Sequence, residues 1–238
     1  MKRQAVIICA SGNELPGAKA DAANMQTFLL SARGGSWAPH EVTVLSDPSS
    51  SLVDAHIALA SLADYSFVAF GGHGRYNVFQ KTTELEIAKN VYIDVNKLRV
   101  GAKRHTLIID TCRVLHKTTL NERLLAKATM DSIQFSENNS RQIFDSQLQD
   151  CPPGIIEIYS CDISETAGEE ASGGYYTSAL LGAAELWGQN APRSRVLTVK
   201  EAHDSATMAV HRKTGNRQNP RVGYPRSQPY FPFAVKGA

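Results

Sequence analysis

Residues 65–74 read "YSFVAFGGHG": a short, largely apolar run from Tyr65 to Phe70 that stops at two glycines, a histidine and a third glycine. A run of this length and composition, bounded by glycine, fits a strand buried on both faces of a parallel sheet. The pattern recurs along the chain, as "QAVIICAS" from Gln4, "HEVTVLS" from His40, "HTLIID" from His105, "GIIEIYS" from Gly154 and "YFPFAV" from Tyr230. Between these runs lie segments of helical length. In "GAKADAANMQTFLLSA", Ala18, Ala22, Met25, Leu29 and Ala32 fall at helical spacing, and "SLVDAHIALASLA" follows an Asp47-Pro48 turn and a serine cluster suited to a helix start. "GGYYTSALLGAAELWG" and "TVKEAHDSATMAVHRKTG" read as the last two helices. Strands that alternate with helices predict a three-layer α/β/α sandwich around a central, mostly parallel six-stranded sheet. "YFPFAV" closes that sheet as an edge strand, where its proline is tolerated. Residues 77–95 alternate and predict a small hairpin outside the sheet.

A chain of 238 residues with 42% hydrophobic content can bury one sizeable core, so a single domain over residues 1–238 is expected. Its formal charge of +2 gives no charge-based case for nucleic acid, and the basic residues near the end are read as a solvated face. The apolar run from Ala5 to Ala10 is shorter than a signal peptide's core, and no stretch is long enough to cross a bilayer; a soluble, cytoplasmic protein without a membrane partner is expected. Cys9, Cys112, Cys151 and Cys161 lack the spacing of a metal site and are read as free thiols, with no metal expected. The segment 115–154 is polar, holds Lys117, Arg123, Lys127 and Arg141, and is longer than a usual connection, which predicts a functional loop.

In parallel sheets, functional residues gather at the carboxyl ends of the strands. His73 falls just past the end of one strand and Cys112 just past the end of "HTLIID". If the two strands are neighbours, the thiol and the imidazole come within reach of each other, since adjacent strands lie roughly 5 Å apart. The imidazole can take the thiol's proton as attack begins and return it to a leaving amine. Gly72 lets the chain turn, and Gly74 lets substrate approach a backbone N–H that, with that of Cys112, can face a developing oxyanion.

"GGHG" followed by "DTCR" resembles the histidine and cysteine motifs of the caspase and metacaspase superfamily of cysteine peptidases. "LPGAKADAANMQTFLL" is similar to that family's first helix, "IYSCDISETAGEEASGGYYTSALL" to its fifth strand and next helix, and "NPRVGYPRSQPYFPFAV" to its terminal segment. The resemblance implies Cys112 as nucleophile, His73 as general base and acid, and an oxyanion hole from the backbone of Gly74 and Cys112. It also implies where the residue preceding the cut bond would sit. Aspartate-specific members hold an acidic side chain with a glutamine and two arginines, at positions that match Asp110, Leu15 and Asp162 here. Carboxylates at Asp110 and Asp162 reverse that preference, because a desolvated carboxylate favours a guanidinium or an ammonium. Cleavage after Arg or Lys is therefore expected, with Asp21 at the pocket floor, as in metacaspases, and Ser160 beside it.

The same resemblance points to stand-alone prokaryotic members, some of which act in antiviral defence or cell death under a partner or small signal molecule. No cofactor is required on this reading. Calcium, which several metacaspases need, would find oxygen ligands in Asp162, Glu165, Glu169 and Glu170, and a small-molecule activator is a second candidate. The expected partners are a protein or peptide substrate and an activating ligand or protein, with the chain a monomer or a homodimer. Two other readings stand beside this one. The first is a caspase-fold module that senses a ligand without constitutive peptidase activity. The second is a flavodoxin-like binding domain, against which "CASGNELPG" lacks a phosphate-loop glycine pattern.

Overall fold

A computed structural model describes residues 1–10, 15–115, 137–190 and 195–236. In chain order the elements are β1 (Arg3–Ala10), α1 (Pro16–Leu30), β2 (Val42–Ser46), α2 (Ser50–Ser61), β3 (Tyr65–Gly72), β4 (Gly74–Asn77), β5 (Thr82–Ala88), β6 (Val91–Asp94) and β7 (Arg104–Asp110). They continue with α3 (Glu137–Asp150), β8 (Gly154–Tyr159), β9 (Glu169–Glu170), β10 (Gly173–Gly174), α4 (Tyr175–Gln189), β11 (Val196–Thr198), α5 (Val199–Thr214), β12 (Arg221–Gly223) and β13 (Pro232–Val235). Among the described residues, six strands form one sheet in the order β12-β8-β7-β3-β1-β2. All neighbours are parallel except β12, which runs antiparallel to β8. The expected α/β/α architecture with a mostly parallel six-stranded sheet is the one observed.

The alternation of side chains along β1 divides the core in two. Ala5, Ile7 and Cys9 face α1, α3, α4 and α5, where Met25, Leu29, Phe144 and Leu180 are buried. Val6, Ile8 and Ala10 face α2 and a small antiparallel sheet, where Val53, Ile57, Leu85 and Ile87 are buried. Both faces of the central strands are therefore dry, which explains why these strands read as unbroken apolar runs. Local signals set the helix ends. Ser49 caps α2 by accepting from Leu52 N at 3.3 Å. Thr198 and Glu201 form a reciprocal capping box on α5, which ends on Gly215 in the left-handed region (φ 61°).

Three expectations change. Arg221–Gly223, not "YFPFAV", supplies the sixth strand of the main sheet. Pro232–Val235 pairs instead with Val196–Thr198 in a separate two-stranded ribbon, and Phe231 and Phe233 fill the helix-side core. The segment 77–95 is part of a three-stranded sheet, β4-β5-β6, that begins at Gly74, immediately after His73. Within the segment read as irregular, residues 137–150 form α3; Arg141 on that helix is bonded to Glu41 at 2.7 and 2.8 Å. Lys117, Arg123 and Lys127 lie outside the described residues. Among the described residues, no helix is long and apolar enough to cross a membrane.

Candidate active site

β3 and β7 are adjacent and parallel, and each β7 residue lies 39 positions after its β3 partner, from Tyr65 with Arg104 to Gly71 with Asp110. Cys112 also lies 39 positions after His73, two steps past the last paired residues Gly71 and Asp110, so both residues stand at the carboxyl rim where β3 and β7 end. Thr111 Oγ1 donates to Gly72 O at 2.8 Å and ties the two strand ends together. His73 is exposed at the rim and Cys112 is half-buried. Among the described residues no hydrogen bond joins their side chains.

The glycines around His73 serve the strand ends themselves. A Cβ on Gly72 would sit 2.8 Å from the Cβ of Ala10 at the end of β1, and one on Gly74 would run into Thr111 Oγ1. Gly74 opens β4 opposite Leu85, and Glu86 N donates to His73 O at 3.0 Å, so the histidine is held at the joint between the main sheet and the small one.

The thiol has a backbone neighbour. Ala167 N donates to Cys112 Sγ at 3.3 Å, and the thiol donates to Ala167 O at 3.6 Å. Burial pushes the Cys112 thiol above its ordinary value; the Ala167 N–H acts the other way, and the charges of Asp110 and Glu169 add to the rise.

Asp110 and Asp21 stand together beneath this rim, each 8% exposed. Asp110 Oδ2 accepts from Thr177 N at 3.0 Å and Thr177 Oγ1 at 2.7 Å, where α4 begins. Asp21, on α1, accepts from Gly174 N at 2.8 Å through Oδ2, while its Oδ1 is buried with no partner among the described residues. The two carboxylates converge on Gly174, whose Cβ would lie 2.6 Å from Asp110 Oδ2 and 3.1 Å from Asp21 Oδ2. Burial raises Asp21 well above the carboxylate range, and Asp110 and Glu169 raise it further against the Gly174 hydrogen bond. Burial also raises Asp110, opposed by its bonds to Thr177 and Ser160. Glu169, on β9, is the member that sequence reasoning did not place here: burial, followed by the charge of Asp110, pushes it up to about 7.

Ser160 is fully buried, and its hydroxyl meets Thr111 N at 3.2 Å. Asp162 lies apart from the Asp21–Asp110 pair. Burial pushes its carboxyl up, but the hydrogen bond from Arg221 Nε at 2.8 Å, the Ile163 N–H and the charges of Arg221 and Arg113 together hold it below the carboxylate range. Among the described residues no group of three or more His, Cys, Asp and Glu side chains is placed to hold a metal ion.

His73 and Cys112 thus stand past the ends of adjacent parallel strands, at one rim of an α/β/α sandwich. The caspase domain model matches residues 2–228, and the chain belongs to the caspase-domain family of peptidases. Solved structures agree on the fold. Caspase-1 from Spodoptera frugiperda is 14% identical with a TM-score of 0.57, over 93% of this chain and 86% of that one. Protein GSU0716 from Geobacter sulfurreducens is 16% identical with a TM-score of 0.56, over 99% of both chains. No curated protein matches the chain.

Proposed function

We propose that this caspase-domain chain is a cysteine endopeptidase that cuts after Arg or Lys, with Cys112 as nucleophile and His73 as general base and acid. The observation that carries the specificity is the buried pair Asp21 and Asp110, with Asp21 Oδ1 unpartnered and Glu169 alongside. Desolvated carboxylates of one sign leave a deficit that a guanidinium or ammonium would fill, and an acidic side chain would be repelled. Asp162, its charge already met by Arg221, contributes less to this pocket than Glu169. In the reaction, His73 accepts the Cys112 proton as sulfur attacks the carbonyl carbon, the N–H groups of Gly74 and Cys112 face the oxyanion, and the imidazolium protonates the leaving amine.

Peptides that differ only in the residue before the cut bond, run with and without calcium and with candidate signal nucleotides, test this reading. Arg and Lys peptides should turn over and Asp peptides should not. Cys112→Ala should abolish all cleavage, and residual turnover would assign the nucleophile elsewhere. One observation favours a second reading, a caspase-fold sensor without constitutive activity: the thiol is capped by Ala167 and held protonated. Labelling of Cys112 by an Arg-directed electrophile in the absence of any activator would exclude it.

A further inference from the structure

Ala167 belongs to a run, Asp162–Glu170, that follows β8 and passes over the thiol. This run is tied at intervals to a second one, Lys213–Arg221, at the end of α5 and the start of β12. Asp162 is bonded to Arg221, and Glu165 accepts from Asn219 N and Nδ2, both at 2.7 Å. Gly168 N donates to Gln218 Oε1 at 3.0 Å, and Glu170 pairs with Lys213 at 2.6 Å. Gln218 differs from the other ties. It is 2% exposed, and its amide also donates from Nε2 to Ser160 O at 2.8 Å, so one side chain closes both ends of the loop that carries Ala167. Its own backbone N donates to Thr214 Oγ1 at 3.3 Å, which fixes it to the last turn of α5.

We infer that Asp162–Glu170 is a strap that guards the Cys112 thiol, with Gln218 as the positioning residue that latches it. While it is latched, the backbone of Ala167 occupies one side of the sulfur from which a carbonyl carbon would be met. It also excludes water and favours the neutral thiol. Releasing the strap exposes the sulfur and removes the largest influence that keeps it protonated, its burial. Two backbone bonds to the buried Arg113, Arg113 N to Glu165 O and Ser164 N to Arg113 O, both at 2.9 Å, hold the first half of the strap whatever happens at Gln218. The latch therefore governs the second half, where Ala167 lies, since the remaining side-chain ties there are exposed to competing water. This goes beyond the peptidase reading, because a guarded thiol needs no proteolysis to be detected.

The test is the rate of Cys112 alkylation by iodoacetamide against pH, read by peptide mass, with Cys112→Ala protein giving the background of the three buried thiols. Gln218→Met should lower the midpoint of that profile by about one pH unit, which is about a tenfold faster reaction at pH 7. Asn219→Ala with Arg221→Ala should move it the same way by less, and Lys97→Ala, at an exposed pair elsewhere, should leave it unchanged. Thermal melts establish that each variant is folded; if Gln218→Met does not fold, the double variant decides. Unchanged profiles in folded variants would overturn the strap. Failure of every form to cut a peptide, with the alkylation shifts intact, would overturn the peptidase reading and leave the strap standing.

Discussion

Two clusters of buried charge sit at opposite ends of the central strands. At the amino end, Arg3 is 1% exposed and shares Glu41 and Asp145 with Arg141, at 3.6 and 3.5 Å for its own contacts. It also donates to Gly35 O and Ser36 O and lies 4.6 Å over the ring of Trp37. At the carboxyl end, Asp21, Asp110 and Glu169 are gathered with no cation among the groups that perturb them. The first cluster is balanced and braces β1, α3 and the turn before β2. The second holds acids alone, each pushed toward its protonated form for want of a cation, and remains incomplete. Compensated burial is what a fold needs to stand, while uncompensated burial is tolerated only where something else arrives to meet it.

The largest expected effect falls on the one-sign cluster. Asp21→Asn with Asp110→Asn should lower kcat/KM for Arg and Lys peptides by roughly 150- to 5000-fold, from about 3–5 kcal/mol of lost pairing, and should not lower the melting temperature. A normal kcat/KM would remove the contrast. Next comes the balanced cluster. Arg3→Met removes the buried cation between Glu41 and Asp145, leaves them to Arg141 and the terminal ammonium, and should cost about 1–3 kcal/mol in denaturant unfolding, with KM for basic peptides unchanged in the protein that remains folded.

The pH dependence sharpens the contrast further. A carboxylate raised in the folded state binds a proton that the unfolded chain has released, so its contribution to stability falls as pH rises from the ordinary carboxylate range through about 7 for Glu169. Glu169→Gln should therefore raise the melting temperature at pH 8 and change it little at pH 4. Over the same interval KM for Arg peptides should fall as pH rises, and this slope should flatten in Glu169→Gln. The smallest effect belongs to an exposed, paired acid. Asp162→Asn should cost less than about 1 kcal/mol of stability and leave the Arg/Lys preference intact; loss of that preference would put Asp162 in the pocket.

Much of this contrast was legible in the sequence. The strands buried on both faces announce themselves as apolar runs, so the positions of His73 and Cys112 at two strand ends follow from composition alone, and β3–β7 pairing places those two strand ends next to each other. Asp21 came from resemblance, since nothing in helix spacing marks one aspartate as pocket-facing. Glu169 reads in the sequence only as one oxygen ligand of an acidic run, and its place beside Asp21 and Asp110 is hidden for a physical reason: two-residue strands such as β9 and β10 have no periodicity to detect, and their placement depends on Asp21 meeting Gly174. α3 was hidden by its polarity, with Phe144 and Leu148 as its buried apolar side chains. The apolar run "YFPFAV" reads as the sixth strand, yet Arg221–Gly223 takes the edge, where a single half-buried side chain, Val222, between an exposed arginine and a glycine suffices. The latch at Gln218 depends on a contact 58 residues away, beyond any local pattern.

That distance has a consequence for synthesis. The bond from Gly174 to Asp21 spans 153 residues, and Gln218 follows its partner Ser160 by 58. On a ribosome, the thiol and imidazole emerge long before the segment that restrains them, since chains are made from the amino end at roughly 5–20 residues per second. For several seconds each new molecule carries Cys112 without its latch. The order of translation thus makes the newborn chain the form in which this cysteine is least protected.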